Sequence, residues 1–238
     1  MSSRFGPEAV SLGMRTDFAI KETMKRWAAL TIFLYLVAVS VLCVPIMLVA
    51  YPEEHQDLKA FYLYFVPFLL LCQGVLLVVP VAVATARPVR RRSVATAAIV
   101  GAIPMVVMIL GFIGCAASMI WPENSPARHK VNYPEWINWA MILILWAIWG
   151  VIFYSFFASK NPTVFSSRIT RWLLAGSILE ILVAIPSHII SRHRNECCAP
   201  FISLMGIVTG VAVALMAFGP GLFLLFARRI KDKQAKGS

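Results

Sequence analysis

Six unbroken apolar runs constrain this chain more than any other feature: Trp27–Tyr51, Phe61–Ala86, Val94–Trp121, Trp136–Ser159, Trp172–Ile190 and Pro200–Ala227. Each is about 20 residues or longer, the length at which a helix rising roughly 1.5 Å per residue crosses about 30 Å of hydrocarbon. With 60% hydrophobic and 14% charged residues, and a mean hydropathy of +0.78, a soluble domain of 238 residues could not keep its apolar surface out of water. Membrane-crossing strands would be about ten residues long and would alternate in polarity, which these runs do not. The sequence therefore reads as all-α: a polytopic integral membrane protein, a bundle of six transmembrane helices over residues 27–227. The connections are short and leave no room for a separate soluble domain.

The basic residues set the expected orientation, because Lys and Arg near the ends of apolar segments are retained on the cytoplasmic side. Of 22 such residues, 17 fall on one side: five in residues 1–26, four in Arg87–Arg92, three in Lys160–Arg171 and five after Ala227. The other side holds Lys59, Arg128, Lys130, Arg192 and Arg194. Both termini belong to the first set, so the expected topology is N-in/C-in, which an even number of spans satisfies. Trp27 and Trp172 at inner ends, and Tyr51, Trp121, Trp136 and Trp139 at outer ends, suit interfacial aromatic belts.

Residues 1–26 read as a cytoplasmic segment in which Phe18, Ile20 and Met24 suit an interfacial helix. Residues 228–238 read as a basic cytoplasmic tail. The first apolar run is too long for a cleaved signal peptide and is expected to remain as a signal anchor. Pro162 interrupts the one Asn-x-Thr triplet, Asn161-Pro162-Thr163, and a bacterial cytoplasmic (inner) membrane is the expected location.

A net charge of +11 raises the question of nucleic acid, but the basic residues flank membrane segments and no base-stacking or groove-reading motif accompanies them. Arg87, Arg90, Arg91 and Arg92 are read instead as contacts to lipid headgroups, anionic ones included, with a cytoplasmic partner as the alternative. The expected partners are the lipid bilayer and further membrane subunits, or copies of this chain, and not nucleic acid.

Proline stands inside five of the six runs, at Pro45, Pro67, Pro80, Pro104, Pro186 and Pro220. Each removes a helical hydrogen bond and tends to bend the helix; membrane helices tolerate this, and bent helices also enclose cavities. Gly219-Pro220-Gly221 reads as the strongest break. Gly206 and Gly210 form a small-xxx-small step that permits close helix contact. The fourth run has no proline and large apolar residues on every face, so it is expected to meet lipid or a neighbouring subunit.

The fifth run carries the clearest functional signal, and by its apolar length it is the shortest. Glu180 is the only acidic residue deep inside any run. At about 100° per residue, Gly176, Ser177, Glu180, Ala184, Ser187 and His188 share one broad face, with Ile178, Leu182, Ile185 and Ile189 opposite. That face should point into the bundle, where a carboxyl group finds a partner for its charge or keeps its proton. Glu180, with Ser177 and Ser187, is accordingly the candidate for proton, cation or ligand coupling. A protonated Glu180 bonded to a neighbouring helix is the structural alternative. His188 lies about two turns further out, near enough in direction to share a polar pocket with Glu180.

The run then opens into a loop that places two of four histidines and two of five cysteines close together: His188, His193, Cys197 and Cys198. Cys115 should lie near the same end of the third run, and His55 in the outer loop after the first. Thiolates and imidazoles are ligands for copper, zinc or iron, so a transition metal or redox site at the outer face is one reading of these residues. A disulfide from Cys197 or Cys198 to Cys115, a plain loop, and a partner contact are the others. Cys43 and Cys72 read as small apolar packing residues.

Motifs for covalent haem, thiol oxidoreduction, phosphate loops, His-Glu-x-x-His zinc hydrolysis and Gly-x-Ser-x-Gly esterases are all missing. Enzymatic activity is therefore not the expectation. The leading expectation is a non-enzymatic packing or scaffolding subunit. A small-solute, proton or cation transporter using Glu180, and the outer-face metal or redox site, are the alternatives.

Overall fold

A computed structural model of the chain describes residues 7–50, 61–84, 89–121, 135–156, 162–194 and 199–237. His55, Lys59, Arg87, Arg128, Lys130, Lys160, Cys197 and Cys198 lie outside the described residues. The helices are α1 (Pro7–Ala50), α2 (Val66–Ala84), α3 (Arg91–Ile120), α4 (Glu135–Ser155), α5 (Pro162–His193) and α6 (Ala199–Gly237). All six are long and apolar enough to cross a membrane, and they point to an integral membrane protein.

Several helices run past the apolar limits. α1 continues without interruption from Pro7 into the first span. α5 is 32 residues long, whereas α4 has 21, so the expectation that the fifth helix is the shortest is corrected. Ser, Arg and Thr between Pro162 and Arg171 end the apolar run, but they do not end the helix, whose backbone bonds are indifferent to side-chain polarity. Gly219-Pro220-Gly221 likewise does not break α6, which remains helical through Pro220. A proline removes one donor from the ladder, and the bonds on either side hold the helix together. Before α2 the backbone takes one π-helical turn, Phe61–Phe65, next to Pro67, which has no N–H for the carbonyl of Leu63.

Side-chain pairings define the helix directions. Trp27 stacks on Phe226 with ring centroids 4.7 Å apart, Tyr35 donates to the Ala212 carbonyl and Cys43 to that of Val208, so α1 and α6 are antiparallel. His188 pairs with Ser203 and Glu180 with Thr209, so α5 and α6 are antiparallel too. α3 and α5 run parallel: a Cβ on Gly101 would meet Ile169, and Ser118 bonds Ser187. Alternating helix directions bring Arg26, Arg90–Arg92, Arg168, Arg171, Arg228 and Arg229 to one end of the bundle, with Trp121, Trp136, Arg192 and Arg194 at the other.

α6 is the centre, packed against α1, α2, α3 and α5. Its span is 56% buried, against 6% for the α4 span, which packs mainly on α3 and turns Trp136, Trp139, Leu143 and Ile144 outward. The core contains Val39, Cys43, Leu69, Cys72, Met105, Met108, Phe153, Leu173, Val208 and Met216. Both Cys43 and Cys72 are buried free thiols inside it.

Candidate functional site

On α5 the buried positions Ser177, Glu180, Ala184, Ser187 and Ser191 are spaced three or four residues apart, so small and polar side chains form one stripe. α3 presents Gly111, Cys115 and Ser118 at the same spacing, and α6 presents Ser203, Gly206, Thr209 and Gly210. These three stripes meet. The result is a polar seam through the interior, and small residues bring the three helices close together.

Glu180 sits in the middle of the seam with no solvent exposure. Its Oε1 accepts a hydrogen bond of 2.8 Å from the Thr209 hydroxyl. That hydroxyl also lies 2.8 Å from the Met205 carbonyl and 3.1 Å from that of Gly206 on its own helix. Oε2 has no hydrogen-bond partner among the described residues. Gly111 explains how the carboxyl fits at all: its oxygen fills the space that a Cβ on residue 111 would need. Ser177, one turn earlier, donates to the Leu174 carbonyl of its own helix and does not bond the carboxyl.

Further along the seam Ser187 and Ser118 lie 2.9 Å apart, and each is also 2.9 Å from the Cys115 carbonyl. Two hydroxyls on one carbonyl join α5 to α3. His188 Nδ1 lies 3.0 Å from the Ser203 hydroxyl of α6. Glu180 and His188 therefore each meet a different hydroxyl of α6, Thr209 and Ser203, six residues apart. At the end of α3, Arg194 donates to the Met119 carbonyl at 3.2 Å.

Gly206 and Gly210 lie at the α5–α6 contact. A Cβ on Gly206 would stand 2.6 Å from Cys115 Sγ and 3.3 Å from Ala184 Cβ, and one on Gly210 2.7 Å from Ile181 Cγ1. Cys115 is a buried free thiol whose sulfur is 3.9 Å from the Ile202 carbonyl. Of the remaining metal-ligand candidates, His193 is exposed at the end of α5, and Cys197 and Cys198 lie outside the described residues. Among the described residues no three His, Cys, Asp or Glu side chains gather in a way that could hold a metal ion. Arg90, Arg91 and Arg92 are exposed at the start of α3.

Thr209 as the partner of Glu180, Gly111 as the residue that makes room for it, and Ser118 and Ser203 as joints were not singled out from the sequence. Their signal was available as matching stripes of small and polar residues on the third, fifth and sixth runs. Outside the seam, buried Gln73 on α2 has both amide atoms without a hydrogen-bond partner among the described residues and lies against Gly219 of α6.

Comparison with protein-family models, curated proteins and solved structures finds no match to this chain.

Proposed function

We propose that the chain is a non-enzymatic multipass membrane protein, a packing or scaffolding subunit of a homo-oligomer or larger membrane complex. One observation carries this reading. Three side-chain pairs of the seam, Ser118–Ser187, His188–Ser203 and Glu180–Thr209, are joints between helices, and Glu180 is packed against Gly111 with no solvent exposure. A bundle whose interior is consumed by its own packing presents its surface as its means of interaction, and the outward apolar face of α4 suits either lipid or another subunit. The one-sided distribution of arginine supports cytoplasmic termini, and a bacterial inner membrane is the proposed setting. Purification in mild detergent and native mass measurement test the role. A higher oligomer or a co-purifying subunit is expected, and a stable lone monomer would overturn it.

A second reading is favoured by Oε2 of Glu180, which has no hydrogen-bond partner among the described residues. A carboxyl with half its bonding capacity unused inside a membrane is suited to binding a proton or cation, provided that the seam opens during a transport cycle. Proteoliposome flux measured with Glu180→Gln decides. Flux present in the parent and lost in the variant supports coupling through the carboxyl, and undiminished flux removes it from the mechanism.

A further inference from the structure

An open groove of about 360 Å³ lies between α3 and α4, lined by Ala95, Ile99, Trp146, Ala147, Gly150 and Tyr154 among others. Its volume falls within the range of small-ligand sites, roughly 300–1,000 Å³, and its lining is almost wholly apolar. Small residues make it concave. A Cβ on Gly150 would meet nothing within 4 Å, so open space remains at that point of the wall. Trp146 is held by its indole N–H, which donates to the Ile99 carbonyl at 3.0 Å, so one wall is fixed in place.

The charge at the groove's mouth selects the occupant. Arg91 and Arg92 stand one turn before Ala95 and within about 60° of it around α3. Both are exposed and have no ion-pair partner among the described residues. Arg168, also exposed, lies over the Phe156 ring at 5.6 Å from its centroid, beside the end of α4. From Arg92 to Ile99 the helix rises about 10 Å, within the roughly 15 Å of hydrocarbon in one leaflet of a bilayer about 30 Å thick. An acyl chain entering from the arginine level would run the length of the groove, with its phosphate in reach of the guanidinium groups.

We propose that this groove is a binding site for one anionic glycerophospholipid, with an acyl chain along Ala95, Ile99 and Gly150 and the phosphate held by Arg91 and Arg92. The site goes beyond general headgroup contact, because it joins a shaped apolar slot to a specific pair of cations. It rests on the membrane reading of the six helices and not on the scaffold role.

Native mass spectrometry of the full detergent-purified chain, titrated with equal amounts of dioleoyl phosphatidylglycerol and dioleoyl phosphatidylcholine, tests the site. The parent is expected to retain one phosphatidylglycerol with about tenfold preference over phosphatidylcholine. Arg91→Gln with Arg92→Gln should bring the two lipids to equal retention. Gly150→Leu, which enters open space, should lower retention of both by about fivefold or more while leaving the unfolding temperature unchanged. Equal retention of both lipids by the parent, or parent-like retention by Gly150→Leu, overturns the proposal. A change of oligomeric state in Gly150→Leu overturns it as well, because a protein helix would then be the occupant. Failure of the chain to incorporate into lipid nanodiscs would count against the membrane reading itself and so is distinguishable from loss of this one site.

Discussion

The Thr209 hydroxyl stands 2.8 Å from Glu180 Oε1, equally far from the carbonyl of Met205 and 3.1 Å from that of Gly206, so one hydroxyl hydrogen faces three acceptors. The pair joins α5 to α6 at Glu180, the only acidic residue deep inside any apolar run of the sequence. Interhelical hydrogen bonds inside bilayers contribute modestly, about 0.6 kcal/mol on average with a maximum near 1.7. A double-mutant cycle of Thr209→Val and Glu180→Gln should return a coupling energy in that range from reversible unfolding in detergent. Strict additivity of the two changes would show that the contact contributes nothing to holding the helices together.

Gly111 and Glu180 occupy space that only one of them can fill. Gly111→Ala should destabilise by about 1–3 kcal/mol, the usual cost of overpacking, despite the better helix propensity of alanine. Adding Glu180→Ala should recover part of that loss, because the smaller side chain vacates the place the new methyl needs. Thermal unfolding of the two single variants and the double variant checks this, and the absence of any rescue would separate the two residues.

The glycines of α6 should divide by their surroundings. Ala at Gly206 or Gly210 forces a methyl group against Cys115 or Ile181 and should lower stability by about 1–3 kcal/mol. Ala at Gly221, where a Cβ meets nothing within 4 Å, should be neutral or stabilising by up to about 1 kcal/mol through helix propensity. The unfolding midpoints of the three variants, compared under one detergent condition, provide the measurement.

Gln73 buries an amide with neither atom bonded among the described residues. Replacing it with Met keeps a similar length and removes two unsatisfied groups, so Gln73→Met should raise stability by about 1 kcal/mol or more. A fall in the unfolding midpoint would mean that the amide has a partner in the working protein, a bound water or substrate for example, and would move Gln73 into the functional site.

Much of the architecture was legible before any coordinates. The number and approximate limits of the helices followed from hydropathy, and the inward direction of Glu180 followed from the small and polar residues around it. α5 extends beyond its apolar run because its first turns carry Ser, Arg and Thr, which end an apolar run while leaving backbone hydrogen bonding untouched. Glu180 and His188 looked like one pocket on a helical wheel, yet their hydroxyl partners are six residues apart on α6. A wheel describes angle around one helix and says nothing about the neighbour that each position meets.

The sequence by itself determined that this chain forms six helices long and apolar enough to cross a membrane, because hydropathy and charge are properties of residues taken one at a time. Only the tertiary structure decided that α6 is the centre of the bundle, that Thr209 meets Glu180 and that Gly111 makes room for it. In a soluble helix the buried face is the apolar one, whereas in lipid both faces are apolar and the pattern does not announce which neighbour lies where. Rotation and register between helices are settled instead by where glycine, serine and threonine let backbones approach, and that depends on three helices at once.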